Sequence, residues 1–173
     1  DDHDNRARVK LHLIPKESLV EEALKLLGQA LEELQHQART TAEGATHAES
    51  RPENSKDTRG LEASYLARGL ATRVAQLEAD LTQLRRMPLK GFGPEDPISA
   101  SALVRLHSPD SGDLVLFLTP CGGGTSLRWD LLTIVLVTPR SPLGKAVLGK
   151  QLDDALSLKL DGKEREYELI EVA

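Results

Sequence analysis

From Ser18 to about Ala45 the chain has no proline, and Val20, Leu24, Leu27, Leu31, Leu34 and Ala38 follow in alternating steps of four and three. Apolar steps averaging about 3.5 residues keep one narrow stripe on one side of a helix, the seam of a coiled coil. Leu66, Leu70, Val74, Leu77, Leu81 and Leu84 supply a second seam, which stops at Met87-Pro88 because proline cannot donate to the helical ladder. Neither seam is stable in water. Two helices of matching length joined by a short turn bury both, as an antiparallel αα-hairpin. The alternative is a globular bundle, which a stripe this narrow serves poorly because it has room for one neighbour only.

Ser18 with Glu21 three residues on, just after Pro15, forms a capping-box signature and sets the predicted start of the first helix. About 27 helical residues at 1.5 Å each span roughly 40 Å. Whatever sits at the far end therefore acts far from the base. That tip falls at about residues 46–57. Pro52 fits only the first turn of a helix, and Ser50 with Glu53 repeats the capping-box pattern, so the second helix is predicted to begin near Arg51. Glu53 and Asp57 then share one helix face, with Glu49 just before the cap, and together make a negatively charged point. Acids at a helix N-terminus are also favoured by the helix dipole without any function, so both readings stand. Gly60 and Gly69 each cost about 1 kcal/mol relative to alanine inside a helix, which asks for a local reason such as close approach of a partner.

Leu89 to Pro97 is rich in breakers and reads as a linker, dividing a hairpin at 1–88 from a second domain at 98–173. In that domain the strand signals are Ala102 to His107, Leu114 to Leu118, Leu131 to Val137, Ala155 to Leu160 and Arg165 to Val172. Asp161-Gly162 is a hairpin turn between the last two. Leu143 to Gly149 suits a short helix with Ser141 as cap and Pro142 at its first position. Strands plus one short helix give an α+β class. Gly122-Gly123-Gly124 lacks the lysine-serine ending of a phosphate loop and reads as a flexible hairpin turn. His107 and Cys121 are too isolated to pair in catalysis, and read as a surface imidazole and a buried thiol.

Charge and composition narrow the function. A net charge of −5 has the wrong sign for a general nucleic-acid binder. One cysteine, Cys121, excludes an internal disulfide and a multi-cysteine zinc site. With no long apolar run and a first stretch of Asp1-Asp2-His3-Asp4, neither a membrane span nor a signal peptide is expected, and the default is a soluble cytoplasmic protein. The chain does not begin with Met, which leaves room for upstream sequence. No nucleophile-base pair or metal-ligand spacing appears, so the chain is not expected to be an enzyme, and no intrinsic cofactor or stably bound metal is expected.

The segment Ser141-Pro142-Leu143-Gly144-Lys145-Ala146-Val147-Leu148-Gly149-Lys150, followed by a charged hairpin, resembles the C-terminal domain of the bacterial Gre transcript-cleavage and elongation factors. The two heptad segments resemble their coiled coil. The resemblance implies an N-terminal antiparallel coiled-coil hairpin followed by an FKBP-like C-terminal domain, a twisted sheet wrapped on one short helix. It implies RNA polymerase as partner, gripped at the rim of the secondary channel by residues matching Ser141, Pro142, Leu143 and Gly144, with Lys145 and Lys150 nearby. The tip is then inserted toward the active site, where its acids help hold a magnesium ion that is only transiently bound and act on a backtracked transcript, with indirect contact to nascent RNA. Prolyl isomerase activity is not implied, since function lives in sites and not in folds.

Glu53-Asn54 matches the family's glutamate-asparagine pair, but Ser50 stands where the family has aspartate. A neutral hydroxyl is a poor magnesium ligand. Two activities stay open: cleavage stimulation resting on Glu53 with Glu49 or Asp57 as substitute, and, preferred here, modulation or inhibition of the polymerase by a divergent paralogue acting as a monomer. The reading from a different class is a coiled-coil scaffold unrelated to transcription, dimerising through its heptads.

Overall fold

The structure is a computed structural model and describes residues 9–49 and 58–173 of the chain. It opens with a 3-10 turn, Leu11–Leu13, whose Leu11 is fully buried. Helix α1 follows at Lys16–Glu49 and helix α2 at Thr58–Arg86. The two form a long helical hairpin that leads into a sheet domain. By their contacts the residues divide into two compact units, Leu24–Thr82 and, together, Asp1–Ala23 with Gln83–Ala173.

Helix α1 starts three residues earlier than its capping-box signature predicts, at Lys16 rather than Leu19. The backbone N–H groups of Ser18 and Leu19 both reach the Pro15 carbonyl, at 3.1 and 3.4 Å, so Ser18 lies inside the first turn. Buried Ile14 and Leu11 just upstream hold the chain in place, and tertiary anchoring outweighs the local cap. The predicted second start near Arg51 lies outside the described residues. Helix α2 ends at Arg86, two residues before Pro88, as proline requires.

On α1 the expected seam holds, and it continues: Val20, Leu24, Leu27, Leu31, Leu34, Ala38 and Thr41 are half-buried and Ala45 is buried. Half-burial is what one neighbour and no more produces. On α2 the seam differs from the sequence reading at its start. Leu66 is 58% exposed, and the buried or half-buried line is Gly60, Ala63, Ala67, Leu70, Val74, Leu77, Leu81 and Leu84. Counting from Leu66 takes two steps of four in succession, which swings the stripe about 80° off axis; a step of four and one of three leaves it about 20° short. Gln35 donates to Glu78 at 3.2 Å between the helices. Gly60 thus has its local reason, a buried place in the seam. Gly69 is exposed with open space around it, and nothing in the structure explains it.

The sheet domain has strands β1 (Leu103–Ser108), β2 (Gly112–Leu118), β3 (Ser126–Trp129), β4 (Leu132–Val137), β5 (Ala155–Leu160) and β6 (Lys163–Val172), with helix α3 (Pro142–Val147) between β4 and β5. Their order across the sheet is β3-β4-β2-β1-β6-β5. β2 and β4 run parallel, and every other pair is antiparallel. This corrects two expectations. The strand predicted from Leu131 is the second arm of a β3–β4 hairpin that turns at Asp130, held at a φ of 53°. Gly122 to Gly124 is therefore no hairpin turn: it lies in the connection that returns the chain from β2 to the far side of β4, with the Gly124 N–H on the Leu136 carbonyl at 2.9 Å. The Asp161-Gly162 turn does form, with φ values of 50° and 77° that match its sequence.

Alternation along the strands sorts two buried faces. Val104, Leu106, Leu116, Leu118, Leu156, Leu158, Tyr167 and Leu169 form one core with Val137 and with Val147 of α3. Leu103, Arg105, Val115 and Phe117 alternate with these and are also buried, and the 3-10 turn packs against β1 and β6. β1, central and covered on both sides, is apolar through Leu103-Val104 and again at Leu106.

Candidate functional site

Ser141 takes an extended conformation and its Oγ accepts the Gly144 N–H at 3.0 Å, capping α3 while donating to the Thr138 carbonyl at 2.8 Å. Pro142 follows at the first helical position, where its missing N–H costs nothing. Gly144 lies directly on the preceding loop: a Cβ there would sit 1.9 Å from the Thr138 carbonyl oxygen. No side chain fits. The Ser-Pro-x-Gly run thus has a full structural explanation, a capped turn of helix pressed against backbone.

Beside the helix lies a cavity of about 510 Å³. Its walls are Leu143 and Ala146 of α3, Val135 and Val137 of β4, and Leu158 and Leu160 of β5, with Ser141 and Pro142 at one side. Of the five expected docking residues, Ser141, Pro142 and Leu143 line this cavity, Gly144 is buried beneath it and Lys145 is exposed next to it. Sequence reasoning missed Val135, Leu158 and Leu160. The alternation of Leu156, Leu158 and Leu160 along β5 was the available signal, but nothing local shows that α3 leaves space above Leu158. An apolar hollow rimmed by a rigid helix suits a protruding apolar side chain from another protein.

The expected tip residues Ser50, Glu53, Asn54 and Asp57 lie outside the described residues, and Glu49 is the last residue of α1. Among the described residues no three His, Cys, Asp or Glu side chains are grouped to hold a metal ion, and no helix is long and apolar enough to cross a membrane.

Two polar clusters escaped the sequence reading. Arg105 is 2% exposed; its Nε donates to Glu171 at 3.0 Å, one Nη to the Val9 carbonyl at 2.6 Å, and the other lies 3.5 Å from Asp113. Glu171 also accepts the Leu11 N–H at 2.6 Å, and Asp113 meets His107 Nδ1 at 2.7 Å. One buried cation thus ties the N-terminal segment to β1 and β6, with each charge paired. The second cluster surrounds Lys16. Its Nζ donates to the Lys90 carbonyl and sits 4.8 Å from the centre of the Phe92 ring, at a cavity of about 390 Å³ that Leu11, Ile14 and Leu89 also line. Burial, offset in part by nearby Glu17, pulls the Lys16 ammonium down to about 8 from its ordinary 10.5.

Set beside known proteins, the chain is 26% identical over 100 residues to transcription elongation factor GreA of Trichlorobacter lovleyi and 25% identical over 100 residues to GreA of Alkalilimnicola ehrlichii. Each match covers 58% of this chain, and the chain spans 60% of the length of each of those curated relatives. Among solved structures, GreA factor homolog 1 of Thermus thermophilus is 24% identical with a TM-score of 0.37, covering 87% of this chain and 94% of that one. No protein-family model matches. The sequence matches support a divergent Gre-like chain.

Proposed function

We propose that this chain is a transcription elongation factor that binds RNA polymerase at the rim of its secondary channel and extends its hairpin toward the active site. The observation that carries this reading is the apolar cavity beside α3, built from the same Ser141-Pro142-Leu143 segment that resembles the Gre docking surface. The hollow accepts an apolar side chain of the partner, Lys145 supplies a rim cation, and the capped helix holds both without needing to rearrange. The chain has no catalytic group of its own in this reading. It acts through the polymerase, as a monomer, in the cytoplasm. Magnesium is engaged only at the polymerase active site, by Glu53 with Glu49 or Asp57.

The test is co-migration of the purified chain with bacterial core RNA polymerase on a gel-filtration column. Wild type is expected to shift into the polymerase peak, and Leu143→Asp, which places a charge in the hollow, to weaken binding at least ten-fold, about 1.4 kcal/mol or more. A wild-type chain that elutes alone, or as its own dimer, favours the scaffold reading.

A further inference from the structure

Strand β5 is one of the two outer strands of the sheet, and it borders the hollow beside α3. The other outer strand, β3, has four residues, whereas β5 pairs with β6 over its whole length, Ala155–Leu160, without a register shift. The turn at Asp161-Gly162 makes Leu160 and Lys163 the hydrogen-bonded closing pair. The Leu169 N–H on the Asp154 carbonyl at 3.0 Å gives the same phase at the far end. Leu156, Leu158 and Leu160 therefore direct their backbone groups to β6. Ser157 and Lys159 aim their N–H and C=O groups at the open edge, and both residues are exposed. Neither proline nor a bulge blunts that edge between Ala155 and Leu160.

The hollow is lined by four successive residues of this strand, Ser157-Leu158-Lys159-Leu160, so it reaches the edge as well as one face. Leu158 and Leu160 lie on the α3 side, and Ser157 and Lys159 alternate to the opposite side. Lys159 is the one charged side chain among the hollow's described lining residues, and among the described residues it forms no ion pair. The acid opposite it on β6, Glu164, accepts from Ser157 Oγ at 2.8 Å.

We propose that the β5 edge is a docking site for an extended segment of a partner protein, added as a further strand and carrying the pattern apolar–acidic–apolar. The occupant follows from alternation. A residue opposite Lys159 shares its side of the sheet, where a carboxylate meets a cation with no ion-pair partner among the described residues. The residues before and after it fall opposite Leu158 and Leu160, turn toward α3 and fill the hollow. That pattern reads the same in both strand directions, so it holds for parallel and antiparallel addition. Main-chain bonds to Ser157 and Lys159 give affinity, and the hollow gives selectivity. A helix seated there puts an apolar side chain in the hollow but leaves both outward backbone pairs without partners. The polymerase reading uses the hollow and not the edge, so the two stand or fall separately.

The test titrates the full chain with a capped peptide, Thr-Thr-Ile-Glu-Ile-Thr-Thr, and follows backbone amides by NMR and hydrogen exchange. Binding is expected to slow exchange at the Ser157 and Lys159 amides more than at Leu158, which is already bonded to β6. Thr-Thr-Ile-Lys-Ile-Thr-Thr is expected to bind about five-fold more weakly, the scale of one cross-strand charge pair, and Lys159→Glu to reverse that order. A peptide N-methylated at the glutamate and both isoleucines keeps every side chain and is expected to lose binding, because it no longer donates to the edge. Absence of binding to the wild-type chain overturns the proposal, as does equal affinity for the two peptides or binding without protection of Ser157 and Lys159. Binding that N-methylation leaves unchanged also overturns it, and makes the hollow a seat for a side chain alone. A chain that ignores the peptide yet co-migrates with RNA polymerase leaves the polymerase reading standing.

Discussion

Gly144 is a position that no side chain can share, because a methyl group would overlap the Thr138 carbonyl oxygen at 1.9 Å and that oxygen is backbone. Gly144→Ala is expected to destabilise the sheet domain by about 2–3 kcal/mol in urea unfolding, the scale of overpacking that backbone must absorb. Lys16 acts in the opposite sense to most paired lysines. Its folded pKa of about 8 lies below the unfolded 10.5, so between those values the unfolded chain binds a proton that the folded chain does not. Stability therefore gains an increment as pH rises from about 8 to 10.5, and a urea titration of Lys16→Met should lack that increment. These two residues differ in how far sequence exposes them. Gly144 stands inside a recognisable Ser-Pro-x-Gly-Lys run with its cap three residues upstream. Lys16 meets Lys90 and Phe92 only through the fold, across more than seventy residues, and no local pattern marks it.

Along the helices, the alternating three-and-four spacing was legible for all of α1, and for α2 from Leu70 onward. It failed where large and small residues compete for the seam. Leu66 is the more apolar candidate, but Ala67 has the correct phase, and geometry wins over side-chain size. The consequence is measurable: Leu66→Ala should change stability by less than about 0.5 kcal/mol, whereas Leu70→Ala, at a buried seam position, should cost about 2–3 kcal/mol. Equal losses at the two sites would restore the original phase. In the sheet, strands bounded by Pro or by Asp-Gly turns were legible. The four-residue β3 was not, because Ser126-Leu127-Arg128-Trp129 is too short to carry a period, and its partner is set by a parallel β2–β4 pairing that turn chemistry cannot reveal. Leu61 and Tyr65, more than half exposed on α2, face away from the seam, with the Arg68 guanidinium 5.9 Å from the Tyr65 ring centre.

For the whole chain, the proposed polymerase reading makes a prediction about RNA cleavage. With Ser50 in the aspartate position, weak or no shortening of RNA is expected when the chain and magnesium are added to backtracked elongation complexes. Ser50→Asp should raise cleavage by ten-fold or more, the scale of one added charge-stabilising group at a reacting phosphate. Strong wild-type cleavage that is lost in Glu53→Ala would show instead that Glu53 suffices. The Arg105 network joins segments far apart in the sequence. β1 lies between β2 and β6, and its guanidinium finds its closest carboxylate on Glu171, sixty-six residues later. A chain that reaches only Leu160 offers that cation Asp113 and the Val9 carbonyl but not the carboxylate at 3.0 Å, so one of its three partners is missing until β6 pairs with β1. Glu171→Gln, which leaves a buried guanidinium short of one charge, is therefore expected to loosen the Val9–Leu13 segment, β1 and β6 together rather than any one of them alone.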